Sequence, residues 1–488
     1  MDAQLRRTKI IATLGPATDA PGALKQLISE GVDVVRLNLS HGTPDDHRQR
    51  ATAVRAAALE LKREVAILAD LQGPKIRIER FADGPVHLEP GQLFTLDCHV
   101  DAPAGDAAHV GVSYHALWRD VKPADVLLLD DGLISLEVIE TGDQVVHCSV
   151  LNGGKLSDRK GINRLGGGLT VAALSDKDRA DIKLAAELDA DFLAVSFVKT
   201  ADDIETARRL LREAGGDAAL VAKIERAEAI ENLSEIIEAS DVVMVARGDL
   251  GVEIGDAELP GLQKKIIRET LLRSRVVITA TQMMQSMVES PIPTRAEVLD
   301  VANAVIDGTD AVMLSQETAA GKHPDKAVAA MRRVCLGAER QFEPTQDLQP
   351  GTHRLDRTDQ AIALAAMFMA DQVGVRALVA LTESGGTALW LSRYRSAVPI
   401  YALSRNAAAR RRMLLYRDVY PIDFDARGVG PTQAARDAIQ HLFALGHLSV
   451  DDRVIVTNGD HTGKLGGTNT LKLLKVGTSG VADGLGDL

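Results

Sequence analysis

Short apolar runs recur along the chain with helical patterns between them: Lys9 to Leu14, Val32 to Leu39, Val65 to Leu71, Phe192 to Phe197, Ala219 to Glu225, Val242 to Ala246, Val276 to Thr281 and Ala311 to Leu314. Each is short enough for a strand. Eight such runs alternating with amphipathic stretches predict an α/β chain built on a closed, parallel (β/α)8 TIM barrel. The stretch from Val221 to Gly255 is the most informative, because it reads strand, helix, strand and places charges where a core has no use for them. Lys223 and Glu225 interrupt their run at a spacing of two, so both side chains leave the strand on one face. The next run, DVVMVA, ends in Arg247, Gly248 and Asp249, again with charges two apart at a C-terminal strand end.

The other runs repeat this arrangement. Arg36, Asn38, Ser40 and His41, then Asp70, Ser196, Thr281 and Glu317, all fall at the C-terminal ends of predicted strands, where a barrel of this kind keeps its chemistry. From Gln72 to about Gly168 the barrel rhythm stops, and alternating runs such as EPGQLFTLD and VVHCSVLNGGK predict an inserted antiparallel β-barrel lid domain. Gly73-Pro74 and Gly166-Gly167-Gly168 bracket it, which suits a hinged lid, with a static insertion as the alternative.

After Glu339 the segment QFEPTQDLQPGTHRLD reads as a linker. A third, α/β unit follows, with a helix from about Thr358 to Gln372, strands at RALVALT, PIYALS and RVIVT, and a helix through ALWLSRYR. The expected divisions are residues 1–71 with 167–342 for the barrel, 72–166 for the lid and 343–488 for the C-terminal unit. In that unit the turn Thr382, Glu383, Ser384, Gly385, Gly386, Thr387 lies between strand and helix, where backbone amides and hydroxyls make either a phosphate cradle or an ordinary helix cap.

Composition narrows the function. A chain of 488 residues needs more than one core, and a formal charge of −12 with 3% aromatic residues argues against a nucleic-acid partner, whose phosphates would be repelled and whose bases would find few stacking surfaces. Cys98, Cys148 and Cys335 show neither disulfide nor zinc spacing and read as buried apolar residues. No run approaches the length of a membrane span, and a cytoplasmic location is expected.

Two carboxylates at neighbouring strand ends, Glu225 and Asp249, suit Mg²⁺, which takes one or two carboxylates together with substrate oxygens and water. Lys223 and Arg36 would supply the positive clamp that phosphoryl transfer needs, and the amides at Gly248 and Asp249 would face a substrate carboxylate. A structural ion pair is the competing reading of Lys223 and Glu225. Asn38, Ser40 and Asp70 are candidate cation ligands, or, for Asn38 and Ser40, helix caps.

The motifs RLNLSHG (Arg36 to Gly42), AKIE (Ala222 to Glu225), ARGDLGVE (Ala246 to Glu253), ITATQMM (Ile278 to Met284) and PTRAEVLDVANAV (Pro293 to Val305) occur in an order that closely resembles the pyruvate kinase family over the whole chain. The endings TESGGTALWLSRYRS and TNGDHTGKLGGTNT resemble its bacterial type II form. The resemblance implies phosphoryl transfer from phosphoenolpyruvate to ADP, giving pyruvate and ATP, in a homotetramer regulated by a phosphorylated effector bound at Thr382, Ser384, Gly385, Gly386 and Thr387. It implies that Arg36 binds the phosphoryl group, Lys223 stabilises it in transfer, Ser196 lies at the substrate, and Glu225 and Asp249 hold Mg²⁺, with Mn²⁺ as an alternative. Thr281 would stand beside the enolate carbon. Arg77, Lys160 and the loop from Asn38 to His41 would bind the nucleotide.

Two departures bear on this. Asn38, Ser40, Asp70 and Leu71 match the family's monovalent-cation ligands, yet Lys75 stands where many members carry a glutamate, so K⁺ is expected not to be required. Gly386 replaces an arginine of related effector loops, leaving Arg393 or Lys464 to compensate. A Mg²⁺-dependent lyase acting through a pyruvate enolate, and a sensor that kept the fold without the chemistry, are the competing functions; the lid cations and Lys223 argue against the first, and the intact set Lys223, Glu225, Asp249 and Thr281 against the second.

Overall fold

In parallel strands covered on both faces, continuous apolar runs are the physical requirement, and the barrel strands meet it. In the computed structural model, residues 5–341, 355–394, 396–460, 466–478, 480 and 482–484 are described. β1 (Lys9–Thr13), β2 (Val34–Asn38) and β3 (Ala66–Asp70) open the barrel. It resumes with β12 (Phe192–Val195), β13 (Ala219–Ile224), β14 (Val242–Ala246), β15 (Val276–Ala280) and β16 (Ala311–Leu314), after the insertion that carries β4 to β11. The eight strands close in the order β1-β16-β15-β14-β13-β12-β3-β2. β3 and β12 pair directly, Leu68 beside Phe192, although the whole insertion separates them in sequence.

The insertion comprises β4 (Val86–Leu88), β5 (Leu93–Asp97), β6 (His109–Gly111), β7 (Val126–Leu129), β8 (Ile134–Gly142), β9 (Val145–Asn152), β10 (Gly154–Leu156) and β11 (Ile162–Arg164). Six of these form one sheet, β11-β7-β8-β9-β5-β6, antiparallel except where β5 and β6 run parallel, and β4 pairs with β10. Alternating burial along β8 and β9 seats one face on a core of its own, with Phe94, Leu127 and Leu136 at its centre. Two tethers join it to the barrel and pair with each other: the Ile162 amide donates to Ile76 O, and the Ile78 amide to Lys160 O, both at 2.9 Å. Gly73, with φ of 69°, must be glycine, since a Cβ there would lie 2.7 Å from Ser196 Cβ and 2.8 Å from the Phe197 ring.

The C-terminal unit is a second sheet, β19-β18-β17-β20-β21-β22, built from β17 (Ala377–Leu381), β18 (Ile400–Ser404), β19 (Val419–Asp423), β20 (Arg453–Gly459), β21 (Thr468–Val476) and β22 (Ala482–Gly484). The expected helices appear at Thr358–Val373 and Gly386–Arg393. Most of the expected linker, residues 342–354, lies outside the described residues. This unit reaches into the barrel. Leu414 and Leu415 belong to the same apolar cluster as Ile11, Leu68, Phe192, Val221, Met244 and Ile278, the lining of the barrel interior. Around them Arg410 pairs with Glu64 at 2.8 Å, Arg411 with Asp191 at 2.5 Å, Arg412 with Asp217 at 2.8 Å, and Arg393 with Asp310. Each of those acids stands just ahead of a barrel strand, so the leucines stopper the N-terminal mouth, opposite the strand ends that carry the chemistry.

Candidate active site

At the C-terminal mouth six of the expected residues touch one another. The Arg36 Nε lies 2.6 Å from Asp70 Oδ2, and its Nη1 donates to Thr13 Oγ1 at 3.1 Å. Lys223 Nζ lies 2.9 Å from Glu225 Oε1 and 3.4 Å from Asp70 Oδ1, and it donates to Ser196 Oγ at 2.6 Å. Ser196 Oγ in turn donates to Leu71 O at 2.8 Å. Glu225 Oε2 accepts the Phe197 amide at 2.7 Å, and Phe197 holds a left-handed φ of 56° in the same turn.

Charge and burial oppose each other here, and their balance differs by residue. Burial disfavours the Lys223 ammonium, but Asp70 and Glu225 override it, and its pKa is raised. Burial likewise pushes Asp70 up, and Lys223 with Arg36 override it, leaving Asp70 lowered. Glu225 goes the other way: burial raises it, Lys223 opposes, and the negative charge of Asp249 adds to the rise.

Asp249 comes from the first turn of the helix Arg247–Ile254, which follows β14 directly. Its Oδ1 lies 3.0 Å from Lys75 Nζ, on the first tether. The Gly248 amide donates to Thr281 Oγ1 at 2.8 Å, and that hydroxyl donates to Ala280 O at 2.7 Å. Thr281 and Gln282 both sit at positive φ, 69° and 53°. Arg247 holds this bend: it donates to Ala280 O and Thr281 O and pairs with Asp300 Oδ1 at 2.6 Å.

Other expected residues make their polar contacts outside this cluster, although Asn38 lies beside Asp70 in the pairing of β2 with β3. Asn38 Oδ1 accepts the Ser40 amide at 3.2 Å and the Asn38 carbonyl accepts from the His41 amide, which is a local turn. Arg77 donates to Arg159 O at 2.9 Å, and Lys160 pairs with Asp130 at 2.8 Å, both within the insertion. Glu317 closes its own loop by accepting from Met284 N and Ser315 N. Lys75 makes its ion pair with Asp249 and not with Asn38, Ser40 or Asp70.

Sequence reading missed the clamp on the second tether. Glu253 accepts the Ala227 amide at 3.0 Å and an Asn163 side-chain bond at 3.4 Å, and lies 3.8 Å from Arg226, while Glu228 accepts the Gly168 amide at 2.6 Å. The available signal was position: Arg226 directly follows Glu225, and Glu253 lies one helical turn beyond Asp249.

The donor set fits Mg²⁺. Among the described residues no three His, Cys, Asp or Glu side chains cluster as a metal cage. Two carboxylates at neighbouring strand ends, with the negative charge of Asp249 adding to the raised proton affinity of Glu225, are a donor set that this ion takes together with substrate oxygens and water.

In the C-terminal unit the turn from Thr382 lines a cavity of about 460 Å³ together with Trp390, Arg405, Phe424 and Thr468. Thr382 Oγ1 accepts the Gly385 amide at 3.0 Å and Thr387 shares a 2.6 Å hydrogen bond with Thr468. Ser384 and Gly386 line the opening. Arg393 does not compensate for Gly386, because it is committed to Asp310 at the barrel floor; Lys464 lies outside the described residues. Of the lining cations, Arg405 is paired with Glu383 at 2.7 Å and Arg357 with Asp359 at 2.8 Å.

Fold and charge cluster together define a (β/α)8-barrel enzyme with an inserted β sheet and a C-terminal α/β unit. The family model described as pyruvate kinase, barrel domain, matches residues 5–328, and that described as pyruvate kinase, alpha/beta domain, matches residues 360–474. A relative named pyruvate kinase II from Salmonella typhimurium is 52% identical, covering 98% of this chain and all of its own. One named pyruvate kinase from Haemophilus influenzae is 50% identical, covering 94% of this chain and 97% of its own. A crystal structure of a pyruvate kinase from Cryptosporidium parvum superposes with a TM-score of 0.90 at 32% identity, over 96% of both chains. The chain belongs to the pyruvate kinase family.

Proposed function

We propose that the chain transfers the phosphoryl group of phosphoenolpyruvate to ADP, giving pyruvate and ATP, as the last step of glycolysis. The observation that carries this reading is Lys223: a buried ammonium kept protonated by Asp70 and Glu225 and steadied by Ser196. Such a fixed positive charge is suited to the charge that develops on a phosphoryl group in flight. Arg36, oriented by Asp70 and Thr13, completes the clamp. Glu225 and Asp249 would hold Mg²⁺, which when bound polarises substrate oxygens and offsets phosphate charge. The first-turn amides at Gly248 and Asp249 would receive the substrate carboxylate, Gly248 by exchanging the Thr281 hydroxyl for it. Thr281 Oγ1, released from that amide, stands ready to pass a proton toward the enolate carbon through water.

Arg77, Lys160 and the Asn38 to His41 loop are assigned to the nucleotide, brought to the strand ends when the insertion swings on its tethers as a lid. Lys75 places an ammonium among the strand-end acids, and on that ground turnover is assigned no K⁺ requirement. The cavity at Thr382 to Thr387 is assigned to a phosphorylated effector, and the active form is assigned as a cytoplasmic homotetramer. Among the described residues no helix is long and apolar enough to cross a membrane.

The deciding experiment is a coupled assay for pyruvate with ADP and Mg²⁺ omitted in turn. Pyruvate formed only with both supports the assignment; formation without ADP would make this a lyase, and none under any condition a sensor. In the same assay, turnover in tetramethylammonium salts that fell by orders of magnitude against KCl would end the K⁺-independent reading.

A further inference from the structure

Each of the two strand-end carboxylates carries its own lysine. Glu225 has Lys223, on a barrel strand, and Asp249 has Lys75, on the tether that leads into the insertion. The two lysines are held very differently. Lys223 is buried among Glu225, Asp70 and Ser196. Among the described residues Lys75 makes one polar side-chain contact, with Asp249, and both partners are about a quarter exposed. Its stem crosses Gly161 of the return tether so closely that a Cβ there would lie 3.2 Å from Lys75 Cε. The ammonium arm therefore touches both tethers and a helix of the barrel at once.

A divalent cation takes carboxylate oxygens at about 2.0–2.1 Å. An ammonium bonded to the same carboxylate would then face a second, denser positive charge at close range, and that repulsion displaces the ammonium that fewer other contacts hold. Lys223 keeps Asp70 and Ser196 besides Glu225, whereas Lys75, about a quarter exposed on the hinge, has Asp249 and is the one free to leave. We propose that Lys75 and the divalent cation compete for Asp249, so that metal binding frees Lys75 and loosens the lid tethers from the barrel. This rests on the assignment of Asp249 to the metal. It makes Lys75 a positioning residue: it sets when the lid is free to move, without touching substrate.

The test uses Mn²⁺ alone, without substrates, on the full chain. Free Mn²⁺ is read by electron paramagnetic resonance for the wild type, Lys75→Met, Lys75→Arg and Asp249→Asn. Hydrogen exchange is followed at residues 76–79 and 160–163, whose amides and carbonyls pair the tethers. Lys75→Met is expected to bind Mn²⁺ on the order of twofold to fivefold more tightly, the range for losing one partly exposed ionic competitor, and Lys75→Arg like the wild type. Mn²⁺ is expected to speed tether exchange in the wild type and to leave an already fast Lys75→Met unchanged. Wild-type Mn²⁺ affinity in Lys75→Met, or wild-type tether exchange indifferent to Mn²⁺, overturns the proposal while the metal assignment stands. Undiminished Mn²⁺ binding in Asp249→Asn overturns both.

Discussion

Asp70 holds Arg36 with one carboxylate oxygen and faces Lys223 with the other, at 2.6 Å and 3.4 Å. One buried acid on β3 thus sets two cations contributed by β2 and β13. Replacing it by asparagine leaves both cations buried without that charge, a loss of about 3–5 kcal/mol for breaking a buried pair. The sign with pH follows from its lowered pKa: the native state binds fewer protons than the unfolded chain, so this stabilisation is complete above the unfolded value and disappears as pH falls through the folded one. Denaturant titrations of wild type and Asp70→Asn should differ at pH 7 and converge in strong acid.

Lys223→Met removes the charge fixed between Asp70 and Glu225. Phosphoryl transfer should drop by about 10³-fold or more, while detritiation of pyruvate, which needs no charge on a moving phosphoryl group, survives better. Equal loss in both assays would count against the role given to Lys223.

Thr281→Ser keeps the hydroxyl that accepts the Gly248 amide, and Thr281→Ala does not. Detritiation of pyruvate should fall by about 10²-fold or more in the alanine variant and be largely retained in the serine variant.

In the cavity lined by the turn from Thr382, Arg405 is paired with Glu383. Glu383→Gln frees that guanidinium, and a sugar or nucleoside phosphate should then bind about twofold to fivefold more tightly, the worth of one exposed ion pair. Trp390 lines the same cavity, so its fluorescence reports the titration.

Leu415→Ala opens a cavity in the barrel floor and should cost about 2–5 kcal/mol. Because that side chain belongs to the C-terminal unit, loss of signal from the barrel and from Trp390 should move together in thermal unfolding.

Barrel and strand-end charges were legible in the sequence because a parallel strand buried on both faces leaves a bare apolar run, against which Lys223, Glu225 and Arg247 stand out. The partner that Arg247 takes is Asp300. What escaped depends on contacts between distant segments. The helix Ala407–Met413 reads as an ordinary basic stretch until Arg411 meets Asp191. β19, VYPID, is an edge strand interrupted by Pro421 and lacks the apolar continuity of its neighbours. Lys75 was marked as a departure, but only the fold of the tether directs its ammonium to Asp249.

The leucine stopper also bears on how chains of this kind can be recombined. A C-terminal unit that lends two side chains to the lining of another unit's barrel cannot be exchanged as a free-standing cassette. A chimera taking its C-terminal unit from a relative would need leucines of matching length at 414 and 415 and arginines in register with Glu64, Asp191, Asp217 and Asp310. The compatible graft must therefore be matched on the underside of the barrel, and not only at the ends of the exchanged segment.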